Sequence, residues 1–332
     1  MTKKHHMLIP PRYTLNNRIS ELLTQIEASR AVIEAITIPP EVEVNIRRQS
    51  TLKSALFSAR IEGSELTLDD LPGSANQKKA EVYNILKAQN WMYAERHKDL
   101  TVAIILTLHS FTMTGFTDAG NLGKFRSEVS AIFNSAGIAI YLPPPPKQIN
   151  PLTVRLLKYV VSDKERFIPV KAALTHFMFE KIHPFLDGNG RVGRLVLQKI
   201  LVHGGYGMKG LLAIEEYLDN HRSAYYHALE EPEKELSDYL IFMLEAIAET
   251  AEKAKELVLQ KQKAEVTDYL LPRRAEILNI IQEQRLVNFD QIRRRFMRVN
   301  ERTLRYDLKQ LQNSGLIRKL GNTKGVYYES VE

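Results

Sequence analysis

The stretch His183-Pro184-Phe185-Leu186-Asp187-Gly188-Asn189-Gly190-Arg191-Val192-Gly193-Arg194 decides how the rest of the chain is read. It lies between two segments of helical periodicity, at about 169–182 and 190–203. Gly188-Asn189-Gly190 therefore forms a turn whose backbone N–H groups make an anion nest at the positive N-terminus of the following helix. Arg191 and Arg194 are three residues apart on the first turn of that helix, where two guanidinium forks converge on a polyphosphate. Cations at a helix N-terminus oppose the macrodipole, a conflict that an anionic ligand removes. Asp187, a hard oxygen ligand beside the nest, suits a Mg²⁺ ion that also touches phosphate oxygens. His183 titrates near neutrality and is placed to take a proton from an attacking hydroxyl.

The same letters spell G-x-G-x-x-G over 188–193, with Glu215 and Glu216 about twenty residues further on, as in a dinucleotide fingerprint. That reading needs a buried strand ahead of the glycines, whereas Ala172 to Ile182 repeats with helical period and includes charged residues. The Walker pattern G-x-x-x-x-G-K-[ST] does not occur, which sets aside a P-loop nucleotidase. The 332 residues are 44% hydrophobic, enough for a packed core and more than one domain. With no cysteine, thiolate zinc sites, disulfide scaffolds and cysteine nucleophiles are excluded. The longest apolar runs, such as Val102 to Leu106, are far too short for a membrane span, so no membrane partner and a cytoplasmic location are expected.

Apolar positions at Leu15, Ile19, Leu22, Leu23, Ile26, Val32, Ile33 and Ile36 predict a helix over 14–37, ended by Pro39-Pro40. Further helices are predicted at about 42–62, 76–97, 101–114, 150–161, 169–182, 190–203 and 221–230, with a loop at Leu71-Pro72-Gly73. From Gly120 to Pro146 the pattern changes: Val129 to Phe133 and Gly137 to Leu142 predict a β-hairpin, closed by Pro143 to Pro146. A long Ala-, Glu- and Lys-rich helix from about 235 to 268 reads as a connector to a small terminal domain. His109 and His176 read as hydrogen-bonded packing histidines, with His176 bracing the catalytic loop, and Trp91, Phe177 and Phe179 read as core.

The string His183 to Arg194 resembles the signature of the Fic family, H-P-F-x-[DE]-G-N-G-R-x-x-R, and matches it at every defined position. Gly123-Lys124-Phe125-Arg126 resembles the family's approach to its target-docking flap, and Tyr225-Tyr226 its adenine-side pair. The resemblance implies a mainly α fold: a Fic-type helical domain with a small β-hairpin flap at 128–146. It also implies transfer of AMP from ATP, with Mg²⁺, to a Ser, Thr or Tyr hydroxyl of a target protein, releasing pyrophosphate. In that reading His183 is the base and Asp187 holds the metal. Asn189 and the glycine N–H groups hold the α- and β-phosphates, Arg194 grips the γ-phosphate, and Gly188 to Arg194, with Val192 and Gly193, form the ATP-binding run. Ser58-Ala59-Arg60-Ile61-Glu62-Gly63 resembles the family's inhibitory [ST]-x-x-x-E-[GN] helix, which implies that Glu62 pairs with Arg194 and blocks the γ-phosphate. Gly190, where a phosphotransferase branch has lysine, fits nucleotidyl transfer. Relatives that use other nucleotides or remove AMP share much of the string, and a homodimer is expected by analogy.

Of the net charge of +7, Pro272 to Glu332 carries a balance of +6, from 13 Lys and Arg against 7 Asp and Glu. Three short helices at Arg274 to Gln282, Phe289 to Phe296 and Glu301 to Asn313, then two strands around Ile317 and Tyr327, resemble a winged helix-turn-helix. Its third helix would present Arg302, Thr303 and Arg305 to DNA, although such modules also bind proteins. The expected division is a helical region over 1–100 with the inhibitory helix at about 42–63, a catalytic domain over 101–245, a linker helix over 246–271 and the winged-helix domain over 272–332. Two readings of different class follow: an AMP transferase braked by Glu62, and an ATP-responsive DNA-binding regulator with a Fic-like sensor. The intact His183 and Asp187 favour the first, since a sensor needs no base.

Overall fold

The computed structural model describes residues 7–71, 76–133, 139–232, 234–262, 266–321 and 325–331. Ten helices within residues 7–262 build one helical body: α1 (Asn17–Ala35), α2 (Pro40–Ile61), α3 (Gln77–Ala94), α4 (Val102–Met113), α5 (Pro146–Val160), α6 (Ile168–Ile182), α7 (Asn189–His203), α8 (Ile214–Asn220), α9 (Arg222–Glu230) and α10 (Ser237–Gln260). Local chemistry sets their ends. Asn16, Asn76 and Thr101 cap α1, α3 and α4 by accepting from the backbone N–H three residues on. Pro40 opens α2, and Gly63, with φ +106°, closes it.

Helix α6 is the axis of the body. Every residue from Pro169 to Ile182 is buried, Lys171, Glu180 and Lys181 included, as befits a helix covered on all sides. It packs against α7, α5 and α10, and α1 lies along α10. Phe177, Phe179 and Phe185, each 1% exposed or less, contribute about 1.5–3 kcal/mol apiece by burial, far more than any surface ion pair. A separate small core of Ala55, Leu56, Ala59, Leu71, Val82 and Ile85 joins α2 to α3 beside the main one.

Strands β1 (Ile132–Phe133) and β2 (Ala139–Tyr141) pair antiparallel, with Ile132 opposite Tyr141. The hairpin's Gly137 and Ile138, like Pro72-Gly73, lie outside the described residues. Helix α5 begins at Pro146, four residues before the sequence places it, because a proline is favourable at the first helical position. Helix α8 is absent from the sequence expectation altogether. The segment read as a connector also differs: α10 ends at Gln260, a 3-10 turn follows at Val266–Tyr269, and Ala246, Ala251, Ala254 and Val258 are buried. Its alanines, which look neutral in sequence, are the close-packing surface for α1.

The C-terminal unit has its own core of Ile277, Leu278, Ile281, Val287, Ile292, Leu304, Leu308, Leu311 and Ile317. It contains α11 (Pro272–Gln284), β3 (Val287–Asn288), α12 (Phe289–Arg295), α13 (Glu301–Asn313), β4 (Ile317–Leu320) and β5 (Tyr327–Ser330). The sheet is antiparallel in the order β3-β5-β4, one strand more than the sequence suggests. Buried Asp307 holds both Arg273 and Arg274. Among the described residues no helix is long and apolar enough to cross a membrane.

Candidate active site

The loop between α6 and α7 is fixed from several directions. Helix α6 ends at His183, which adopts the left-handed conformation (φ 48°, ψ 63°) while its N–H still donates to Phe179 O at 2.9 Å. Pro184 disfavours a further helical turn, and the left-handed backbone costs a non-glycine residue about 1–2 kcal/mol, so the surroundings must hold it. The His183 carbonyl accepts from Arg126 Nε at 2.8 Å. Phe185 is fully buried and stacks on the His109 ring at 3.9 Å. The His109 Nδ1 accepts from Gly123 N–H (2.9 Å), which leaves Nε2–H to donate to Asp187 O (3.2 Å). His109 is thus a brace between α4 and the loop, and burial pushes its pKa down to about 4.

Asn189 has a different place from the one expected. Its Oδ1 accepts from Phe185 N–H (2.8 Å) and its Nδ2 donates to Phe185 O (2.9 Å), so the 3% exposed amide staples the loop. Only its backbone N–H faces the nest. Gly188 has φ +80°, and a Cβ there would stand 2.6 Å from Met113 Sδ, so glycine is required for conformation and for space. The N–H groups of Asn189, Gly190 and Arg191 precede the first helical bond, Val192 N–H to Gly188 O at 3.0 Å, and so have no acceptor within α7.

The two arginines diverge instead of meeting. Arg191 donates to Glu81 Oε1 on α3 (2.6 Å) and to Asp187 Oδ1 (2.9 Å). Arg194, 1% exposed, donates through Nε to Ser58 Oγ (3.0 Å) and through Nη2 to Ser58 O (2.9 Å) and Glu62 Oε1 (2.8 Å). Burial works against its charge, but Glu62, Tyr225 and Glu180 together raise the arginine's pKa above the ordinary value. A Cβ on Gly190 would stand 2.5 Å from Glu62 Oε1, which places that carboxylate over the N-terminus of α7, where an anion is stabilised. Glu62 and Glu81 both line a cavity of about 880 Å³ with Gly63, Lys78, Phe116 and Arg298.

His183 is half-buried, and burial lowers its pKa to about 4, helped by the Arg126 charge, so at neutral pH it is the free base. Asp187 is 60% exposed, and Gly188 N–H (2.5 Å) and Arg191 both occupy its Oδ1. Among the described residues its other oxygen takes no hydrogen bond, and no cluster of three or more His, Asp or Glu could hold a metal alone. A single outward carboxylate fits Mg²⁺, which keeps waters and shares substrate phosphates.

Behind Arg194 lies a buried group the sequence did not single out as one. Tyr225 is 1% exposed and its hydroxyl bonds His176 Nε2 at 2.8 Å beside the guanidinium, while Glu180 is packed under Gly193. Tyr225 therefore backs the arginine, and no face of it is open to a base. Tyr226 is 43% exposed, with its hydroxyl on Ile61 O at 2.9 Å, next to Glu62. Glu81 carries no local signal in sequence because it acts on Arg191, 110 residues away, and Glu180 carries none because its place depends on how α7 packs on α6.

Residues 99–201 match the Fic/DOC family model. A probable protein adenylyltransferase of Aquifex aeolicus is 28% identical over 186 residues, 52% of this chain and 55% of the relative. The protein adenylyltransferase Fic of Drosophila willistoni is 27% identical over 252 residues, 71% of this chain and 47% of the relative, so the chain spans about half the length of these relatives. A Fic family protein from Desulfovibrio desulfuricans shares the fold with a TM-score of 0.66 at 22% identity, over 97% of this chain and 98% of that one. A Fic domain containing signaling protein from Bacteroides thetaiotaomicron does so with a TM-score of 0.59 at 19% identity, over 75% of this chain and 98% of that one. The loop from His183 to Arg194 lies inside the matched segment, and residues 99–201 are therefore a Fic/DOC family domain within a mainly helical chain.

Proposed function

We propose that this chain is a protein adenylyltransferase that transfers AMP from ATP to a hydroxyl of a target protein and is held in check by Glu62. The observation that carries this reading is the loop itself: His183 ends α6 in the left-handed conformation, the first N–H groups of α7 have no acceptor within that helix, and Arg194 follows on α7 with Glu62 on its guanidinium. The polyphosphate would lie along the α7 N-terminus, with its γ-phosphate on Arg194 and the target hydroxyl at His183. The proton of that hydroxyl moves to the imidazole, the oxygen bonds the α-phosphorus, and pyrophosphate leaves. Mg²⁺ held at Asp187 would neutralise charge on the phosphate oxygens. The target would dock along the flap at 128–146. Relatives named protein adenylyltransferases support the same chemistry.

Glu62 stands where the γ-phosphate would bind, on the guanidinium that would bind it. A charge-assisted hydrogen bond of this kind contributes about 1.5–3 kcal/mol, so removing it changes the productive fraction on the order of tenfold or more. Helix α2, which leads into Glu62, packs on α3 through a small separate core and reaches the main core through Ile46 and Ile61, whereas α6 and α7 are buried along nearly their whole length, which makes its displacement less costly than theirs. In Glu62→Gly protein, self-labelling with radiolabelled ATP is expected to rise by about tenfold, and His183→Ala in that background to abolish it. Unchanged labelling with ATP still bound would remove the inhibitory role, and labelling that survives without His183 would remove the base.

A second reading concerns the C-terminal unit, which we take as a winged helix. Arg302 and Arg305 are exposed at the start of α13, whose opposite face buries Leu304, Leu308 and Leu311, an arrangement suited to a duplex groove. Gel shifts with and without ATP test it, and salt-independent or absent binding would discard it.

A further inference from the structure

Arg126 is 3% exposed, and among the described residues it forms no ion pair. A buried, uncompensated guanidinium is costly unless its donors are satisfied, and burial alone lowers this one's proton affinity. Its donors all go to carbonyls of the catalytic loop and of the flap. Nε donates to His183 O at 2.8 Å. On the flap, Nη1 donates to Glu128 O at 2.7 Å, ahead of β1, and Nη2 to Pro144 O at 2.6 Å, beyond β2. Its own backbone N–H donates to Pro184 O at 2.9 Å. A residue needed only to fill space would be apolar here, since replacing a buried charge by a hydrophobe of similar size is often neutral or stabilising.

We propose that Arg126 is a positioning residue: one rigid guanidinium sets the distance and angle between the base His183 and both limbs of the target-docking flap. The inference rests on the adenylyl-transfer reading above. The planar fork fixes three acceptors at once, so a shift of the flap is passed to the left-handed His183 backbone, and a target seated on the flap arrives with its hydroxyl in register with the imidazole. Lysine keeps the charge but, as a point donor, cannot span three carbonyls in one plane. Arg126 touches neither the nest nor Arg194, so nucleotide affinity does not depend on it.

The test uses Arg126→Lys and Arg126→Gln in the full-length Glu62→Gly protein. Self-labelling turnover is expected to fall on the order of tenfold to a hundredfold in both, the cost of a misplacement near 1 Å. ATP affinity by calorimetry is expected to stay within about twofold. Hydrogen exchange is expected to quicken together at residues 128–133, 139–146 and 183–187, with α6 and the rest of α7 unchanged. The His183 ring, read by NMR, is expected to titrate at higher pH in the Gln variant and near the parent value in the Lys variant. The proposal is overturned if the Lys variant turns over like its parent, if ATP affinity falls in parallel with turnover, or if the flap and the loop exchange independently. Should the Glu62→Gly parent itself fail to label, the adenylyl-transfer reading falls, and the exchange data alone decide whether Arg126 couples the flap to His183.

Discussion

At Glu180 a carboxyl is 9% exposed, packed against Gly193 and 3.9 Å from His176 Nδ1, with neither Oε1 nor Nδ1 hydrogen-bonded among the described residues. Arg194 from α7, Tyr225 from α9, Tyr239 from α10 and Glu62 from α2 face it. Burial dominates and pushes its pKa up to about 8, despite Arg194. The folded carboxyl therefore keeps its proton while an unfolded one ionises near pH 4.3, and stability from this group is lost as pH rises toward 8. Glu180→Gln is expected to melt above its parent at pH 8.5, by about 2–4 °C for each kcal/mol relieved, and level with it at pH 5. An equal difference at both pH values would show that the carboxyl is ionised in the fold. The opposite trend belongs to His109 and His176, whose pKa values burial lowers to about 4 and about 3. Unfolded histidines take up protons below about pH 6.5 and these do not, so they lose the protein stability as pH falls from 6.5. His183 shares the low value, so labelling is expected to keep its basic limb down to about pH 5 rather than fail at 6.5, in a pH–rate profile of the Glu62→Gly protein.

Helices α6 and α7 approach closely because Gly193 has no side chain. A Cβ there would stand 2.0 Å from Glu180 Oε1 and 3.2 Å from His176 Nδ1. Alanine is ordinarily better than glycine inside a helix by about 0.5–1 kcal/mol, but displacing a buried carboxyl costs about 1–3, so the clash wins. Gly193→Ala is expected to lower the urea midpoint, and the same change in a Glu180→Ala background to be neutral or stabilising. A single variant more stable than its parent would mean that the carboxyl moves freely. This spacing was written in the sequence as a glycine three residues after another, yet its reason needs α6 in place. The long periodic helices were legible, because period alone identifies a face. Helix α8 was not: it has only seven residues and follows glycines at 204, 205, 207 and 210, which read as loop. Strand β3 has two residues and exists only through pairing with β5, where Val287 meets Tyr328, 41 residues further along the chain. At the site, residue types and spacing pointed to His183, Asp187 and Arg194 as candidates, and the motif resemblance pointed to Glu62. The staple role of Asn189 and the buried place of Tyr225 were hidden, since each depends on which atoms a folded loop brings within 3 Å.

Across the whole molecule the hydrophobic interior is discontinuous, with a main core and a small satellite in the helical body and a separate core in the C-terminal unit. What joins them is polar and sparse. Arg298 pairs with Asp70, beside the cavity that Glu62 lines, and Asn45 Nδ2 on α2 donates to Asp268 O (3.0 Å) in the 3-10 turn before α11. An exposed pair like the first contributes little, small against a core of buried Ile and Leu side chains worth about 1.5–3 kcal/mol each. The two units are therefore expected to unfold separately, and calorimetry of the full chain to show two components. A chain ended at Leu271 is expected to keep the helical component within about 3 °C, to lose the other, and to bind ATP as before, because the site's contacts come from α2, α3, α4, α6 and α7. Arg298→Ala in the full chain is expected to leave both components in place. If the shortened chain melts much lower, or if Arg298→Ala merges or shifts the transitions by more than such a pair is worth, then the C-terminal unit supports the helix that carries Glu62, and the brake would answer to whatever that unit binds.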